Sequence, residues 1–179
     1  MRSIKITPRR AIAAAAAVFS IVCGAAAADT VSPPPAWKIS SKTSALDGTT
    51  RYSAMLDAVS KVANAIGRPE APTLVVRCVP RSGLASFIAW PLYMGSSDVQ
   101  VVYRFDQEPV QHGVWSISED GRASGFFETS RGLKGFLDKL SSAKRLVVQA
   151  PTYQSLPVEA EFELGAAAEV VAAAAKACA

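Results

Sequence analysis

The sequence predicts an α+β domain: a mainly antiparallel β-sheet or sandwich, with two helices late in the chain at about 130–142 and 166–178. Three observations predict it. Short β-branched and apolar runs recur between Gly, Asp and Pro turn residues through the middle of the chain. Residues 157–164 alternate strictly, with Val158, Ala160, Phe162 and Leu164 against Glu159, Glu161 and Glu163. Leu133, Phe136, Leu137 and Leu140 instead follow the i, i+3, i+4, i+7 spacing of an amphipathic helix.

The elements follow in order. Pro33, Pro34 and Pro35 lack the backbone donor, so residues 29–36 form an extended leader. Trp37–Thr43 reads as a short strand, and Asp47-Gly48 as a turn. Over Arg51–Val59 two periods compete. Tyr52, Ala54 and Leu56 alternate with polar neighbours as in a half-buried strand, whereas Met55, Val59, Val62 and Ile66 suit a helix ending at Gly67. The alternation favours a strand, then a loop or helical turn through Arg68-Pro69. Thr73–Val79, Leu84–Trp90, Val99–Phe105 and Gly113–Ser118 read as four strands, the last stopped by Glu119-Asp120-Gly121. The helix from Ser130 takes Thr129 or Ser130 as its N-cap. Arg145–Gln149 and Pro157–Leu164 are the last strands. Gly165 breaks the chain before an Ala-rich helix that carries Cys178.

Ahead of this domain, Arg2, Lys5, Arg9 and Arg10 precede an apolar run from Ala11 to Val22, broken only by Ser20. Small residues then lead to Asp29. Basic, apolar and small, in that order, is the layout of a secretory signal with a cut after Ala28. The run of roughly a dozen residues falls short of the ~20 that a spanning helix needs, against the rival reading of a retained anchor. Val22 and Ser20 are the wrong neighbours for lipid attachment at Cys23. Arg9-Arg10 leaves the twin-arginine route open beside the general secretory one. The expected organisation is therefore a signal peptide at 1–28, the leader at 29–36 and one periplasmic domain at 37–179, with no integral membrane segment after cleavage.

The formal charge of +4 belongs to the export signal. Four of the 19 basic residues and none of the 15 acids precede Asp29, so the remainder is balanced. No basic stripe is left to neutralise phosphates, which excludes nucleic acid as a partner. Cys78 and Cys178 then remain in an oxidising compartment, and an even pair there is most simply a disulfide. The rival reading, a redox or metal pair, lacks CxxC spacing and any helper His.

No catalytic constellation is visible. The single histidine, His112, sits beside Gly113 in a predicted turn with nothing to hold it as a base. One His and a bridged Cys pair leave no metal cluster, no cofactor motif is present, and Gly121–Gly125 is not a phosphate loop. Asp106, Glu108, Glu119 and Asp120 lie at strand ends or turns, where a glycosidase pair could sit but where acids are ordinarily solvated turn formers. Two charges inside strands are more informative. Arg77 interrupts an apolar run, and Arg104 stands two residues from Asp106 on a shared strand face, where the two can pair. Either arginine is a structural ion-pair partner or part of an anion-binding face. Trp90 and Trp115 suit core or rim positions, with sugar platforms as the alternative.

The order of motifs resembles a known family. It runs Trp37-x-x-Ser40, Leu74-Val75-Val76-Arg77-Cys78, Phe87-Ile88-Ala89-Trp90, Val102-Tyr103-Arg104-Phe105-Asp106 and Trp115-Ser116-Ile117-Ser118-Glu119-Asp120. It closes with Ala160-Glu161-Phe162-Glu163-Leu164-Gly165 and Cys178. In these the chain is similar to the small periplasmic proteins of the TagO/VasI family, which are encoded with type VI secretion systems. The resemblance implies an exported accessory protein without enzymatic activity, and supports pairing Cys78 with Cys178. The expected partner is an envelope or secretion-system protein, or a cell-wall fragment, met by a sheet face bearing Arg77, Arg104, Asp106 and Trp115. The alternatives are an envelope (cell-wall) hydrolase and a periplasmic inhibitor or immunity protein. A cleft with facing carboxylates would favour the first of these, and a protruding loop over Gln107–Gly113 the second.

Overall fold

The computed structural model of the chain describes residues 36–128 and 130–179; the expected signal peptide and nearly all of the leader lie outside them. The elements are β1 (Lys38–Thr43), β2 (Thr50–Asp57), β3 (Val62–Ala63), β4 (Pro69–Glu70), β5 (Thr73–Val79), β6 (Gly83–Ala89), β7 (Val99–Phe105), β8 (Gln111–Ile117), β9 (Ala123–Phe126), α1 (Leu133–Ser142), β10 (Arg145–Pro151), β11 (Pro157–Glu163) and α2 (Ala167–Ala177). Nine strands form one sheet in the order β1-β2-β5-β6-β9-β8-β7-β10-β11, with β3 and β4 as a separate small hairpin. Neighbours in both sheets run antiparallel. The chain is of the α+β class, with both helices late, as its sequence predicts.

Period-2 patterning decides the ambiguous segment. Tyr52, Ala54 and Leu56 are buried on β2, while Met55, Val59 and Ile66 of the competing helical pattern are exposed. The loop or helical turn expected beyond it is the β3–β4 hairpin with its connecting turn. Ala160, Phe162 and Leu164 are fully buried, as alternation on β11 requires. The sheet's margins meet through side chains and turns. Trp37 Nε1 donates to Leu164 O at 2.7 Å. Val59 N donates to Glu161 O at 2.8 Å, and Ser60 Oγ accepts from Glu161 N at 2.9 Å.

Helix α1 buries Phe136, Leu137 and Leu140. It starts at Leu133, not at Ser130, and Ser130 does not cap it; Thr129, the other expected cap, lies outside the described residues. The N-cap is Gly132, whose left-handed φ of 88° only glycine adopts freely. Its carbonyl accepts the first helical bond, from Phe136 N at 2.9 Å. Helix α2 turns Ala167, Val170 and Ala174 inward. Glu169 in its first turn and Lys176 in its last complement the helix dipole. Small inward residues let α2 lie close on the sheet, and Cys178 at its C-cap is joined to Cys78 of β5 by a disulfide with Cα atoms 5.5 Å apart.

Candidate functional site

Arg77 leaves β5 on the face opposite Cys78 and Val76, which are buried in the core. Its guanidinium lies 5.0 Å from the ring centroid of Phe87 on β6. Nε and Nη2 both donate to Glu128 Oε1, at 3.3 and 2.9 Å. Phe87 in turn stacks on Phe127, centroids 5.2 Å apart. Arginine stem, two rings and a carboxylate thus form one ledge. The ion pair is partly exposed, with side chains 36% and 20% accessible, so it contributes at most about 1 kcal/mol and mainly orients the guanidinium.

The ledge floors an open groove of about 860 Å³ whose far wall is Ile117, Ser118, Glu119, Asp120 and Arg122. That wall is the β8–β9 turn. Ser118 Oγ donates to Asp120 Oδ1 at 2.5 Å, Arg122 N donates to the same oxygen at 3.1 Å, and Ala123 N donates to Ser118 Oγ at 2.9 Å. The Ser118 hydroxyl, and then the Arg122 amide, hold the Asp120 carboxyl below its ordinary value of 3.8. A folded value lowered in this way stabilises the turn above the ordinary carboxylate range. That contribution is lost as pH falls through the lowered value. The expected result of an NMR titration is an Asp120 midpoint below 3.8 in the wild type that rises in Ser118→Ala; an unchanged midpoint would rule out this account of the turn.

The other expected site residues lie elsewhere. Arg104 is on β7, separated from β5 in the sheet order by β6, β9 and β8. It does not pair with Asp106. Strand β7 ends at Phe105, and Asp106 takes a left-handed φ of 46°, so the shared face ends before it. The Asp106 carboxylate accepts instead from Lys144 N at 3.0 Å and Arg145 N at 2.8 Å, clamping the start of β10 to the end of β7. Asp106→Ala loses two charge-assisted bonds and strains φ, so it should lower stability by about 1–2 kcal/mol in urea unfolding, with Asp106→Asn milder. Trp115 is 1% exposed and sits in the core, not on the surface: a ring of that size on a central strand is worth more buried than displayed. The predicted face of Arg77, Arg104, Asp106 and Trp115 is therefore not formed, and Arg77 alone reaches the groove. His112 is not in a turn either. It is exposed on β8, opposite Val102.

The sequence reading missed the partners of Arg77. Glu128 and Phe127 follow β9, itself unforeseen, and only the Phe126-Phe127 doublet hinted at an apolar site there. Trp90 also lines the groove, yet its indole N–H is spent on Ser124 Oγ at 2.9 Å and its ring is 3% exposed, a core position. Among the described residues no three His, Cys, Asp or Glu are grouped as metal ligands, and no helix is long and apolar enough to cross a membrane.

Fold and site together define a disulfide-bridged α+β domain with an open groove that is aromatic on its floor and charged along its rim. No family model and no curated protein matches the chain. Among solved structures it is similar to invasion associated protein B from Bartonella henselae, at 12% identity and a TM-score of 0.49 over 79% of this chain and 93% of that one.

Proposed function

We propose that the chain is an exported, non-enzymatic binding or accessory protein whose working surface is the Arg77 groove. The observation that carries the reading is the ledge of Arg77, Phe87 and Phe127. It combines partly exposed aromatic surface with an oriented cation, which is recognition chemistry that needs no reacting group. The signal-like N-terminus and the disulfide support an oxidising compartment, the periplasm. The motif order supports association with a type VI secretion system.

The hydrolase alternative needs a carboxyl held protonated to act as acid. Asp120, in the same groove, is held the other way. The inhibitor alternative needs a long protruding loop, but β8 begins at Gln111 and leaves only the short connection from Asp106 to Val110. Glu108 in that connection is tied to Lys139 of α1.

The test is a pull-down of tagged mature protein from crosslinked periplasm. Wild type and Arg104→Ala should capture the same envelope or secretion components, and a folded Arg77→Ala or Phe127→Ala should lose them. Capture unchanged by both groove variants would overturn the reading, as would no specific capture by wild type.

A further inference from the structure

Strand β1 ends the order of the large sheet, and no strand among the described residues pairs with its outer side. The hairpin shows which of its backbone groups face outward. Just past β1, Ser44 N donates to Thr49 O at 2.8 Å, so Ser44 turns its amide toward the β2 side. In an antiparallel ladder the bonded residues alternate. Lys38, Ser40 and Lys42 therefore exchange bonds with Met55, Ser53 and Arg51. Ile39, Ser41 and Thr43 present N–H and C=O outward. Both ends of the strand are fixed, by Trp37 Nε1 on Leu164 O and by the Ser44 to Thr49 bond. The edge is a held template of three donors and three acceptors.

Two lysines on such an edge would by themselves only guard it. Two further features give it a partner. The first is the charge on one face. Lys42 stands opposite Arg51, and neither has an acid partner among the described residues, whereas Lys38 is tied to Asp57 at 2.6 Å. The strand that complements this face carries acids opposite Lys38 and Lys42.

The second feature is on the other face. Ile39 is 58% exposed there, an apolar side chain that guarding an edge does not call for. Ser41, two residues on, shares its face. With Thr50 and Tyr52 of β2 and Ala173, Lys176 and Ala177 of α2, Ser41 lines an open cleft of about 420 Å³. A strand laid along β1 would place every second side chain over Ile39 and this cleft.

We infer that β1 is a docking edge for an extended segment of a partner protein, which adds a further antiparallel strand to the sheet. The segment carries Asp or Glu at every second residue, over Lys38 and Lys42, and apolar residues between them, over Ile39 and the cleft. Main-chain bonds supply affinity and the alternating side chains choose the partner. The edge is separated from the Arg77 strand by β2 and does not depend on the reading given for the groove.

The test uses the full mature chain and three peptides. The first is acetyl-Ser-Glu-Val-Glu-Val-Glu-Ser-amide. The second has Lys in place of Glu. The third is the acidic sequence with both valine amides N-methylated, which removes the donors that face the edge. Amide exchange followed by NMR should find Ile39, Ser41 and Thr43 exchanging freely in the chain alone and protected once the acidic peptide is added. The acidic peptide should bind about ten-fold tighter than the basic one, and the N-methylated peptide should not bind. Ser41→Pro removes an outward donor that no bond of the fold uses; it should keep the urea midpoint and lose the peptide. Lys42→Glu sets an acid opposite Arg51, which holds the hairpin, and should weaken the acidic peptide about five-fold. A folded Arg77→Ala should bind it as wild type does. Protection of the three amides in the chain alone would mean that a second copy or another segment of this chain already lies on the edge, and would overturn the proposal. Equal binding of the acidic and basic peptides, unchanged binding by Ser41→Pro, or loss of binding in Arg77→Ala would each do the same.

Discussion

Replacing Cys78 and Cys178 together by alanine is expected to lower stability by about 4–5 kcal/mol. The two residues are 100 apart in sequence, and closing a loop of that length restricts the unfolded chain by roughly this amount in the loop-entropy account, taken as an upper estimate. A domain's whole net stability is about 5–15 kcal/mol, so the loss decides whether the fold persists at working temperature. The geometry sharpens the expectation. Helix α2 holds on to the sheet through Ala167, Val170 and Ala174, two of them alanines with little apolar area to bury. The covalent bond is its firmest tether. Urea unfolding with and without reductant measures the loss, and hydrogen exchange should show the α2 amides losing protection first. Alanine rather than serine is the right replacement, because Cys78 is 1% exposed and a hydroxyl there would bring its own penalty. A double variant within about 1 kcal/mol of wild type would mean that packing alone secures the helix.

Gly125→Ala is expected to cost about 2–3 kcal/mol, the upper part of the usual overpacking range. On β9, Gly125 lies in register with Phe87 on one side and Ser116 on the other. A Cβ there would stand 2.4 Å from Phe87 Cα and 2.6 Å from Ser86 O. Both are backbone atoms of a paired strand, so no side-chain rotation relieves the clash; β6 and β9 must move apart. Because Phe87 carries the Arg77 ledge, the same variant should also weaken capture by the groove. Urea midpoints for Gly125→Ala beside Gly135→Ala make the comparison internal, since one added methyl group destabilises at the first position and stabilises at the second, an exposed interior position of α1 where a Cβ would meet no atom within 4 Å. A neutral Gly125→Ala would show that the β6–β9 pairing can shift its register.

Much of the fold was legible because burial writes a period into the sequence. Tyr52-Ala54-Leu56 and Ala160-Phe162-Leu164 mark one face of a strand, and Phe136-Leu137-Leu140 one face of a helix. Strand β9 was illegible for the opposite reason. Ala123-Ser124-Gly125 carries no large apolar residue, and its burial is imposed by the strands on either side. The start of α1 went astray because a hydroxyl cap is a local signal, whereas Gly132 was selected by the backbone turn before the helix. The site divides in the same way. Arg77 stood out as a charge within an apolar strand, but nothing near it in sequence names Glu128, about fifty residues on. Arg104 and Asp106 looked paired because the i, i+2 rule assumes that the strand continues, and it stops between them. Trp115 looked available because its neighbours alternate; only the packing of five rings, its own with those of Tyr103, Phe105, Phe126 and Phe136, shows that it is interior.

The unequal margins of the sheet bear on self-assembly. Strand β11 has its outer edge engaged by Val59 and Ser60 of its own chain, whereas β1 ends the strand order and all six of its residues are exposed. Edge-to-edge pairing through β1 would join two copies, while a third, added at β11, would have to displace Val59 and Ser60 from Glu161. Runaway fibre growth needs two sticky ends. Even the single pairing is discouraged, since Lys38 and Lys42 on both copies would crowd like charges along the seam, beside an Arg51 that already faces Lys42 across the β1–β2 ladder. The chain can thus keep a bare strand in water without becoming a seed.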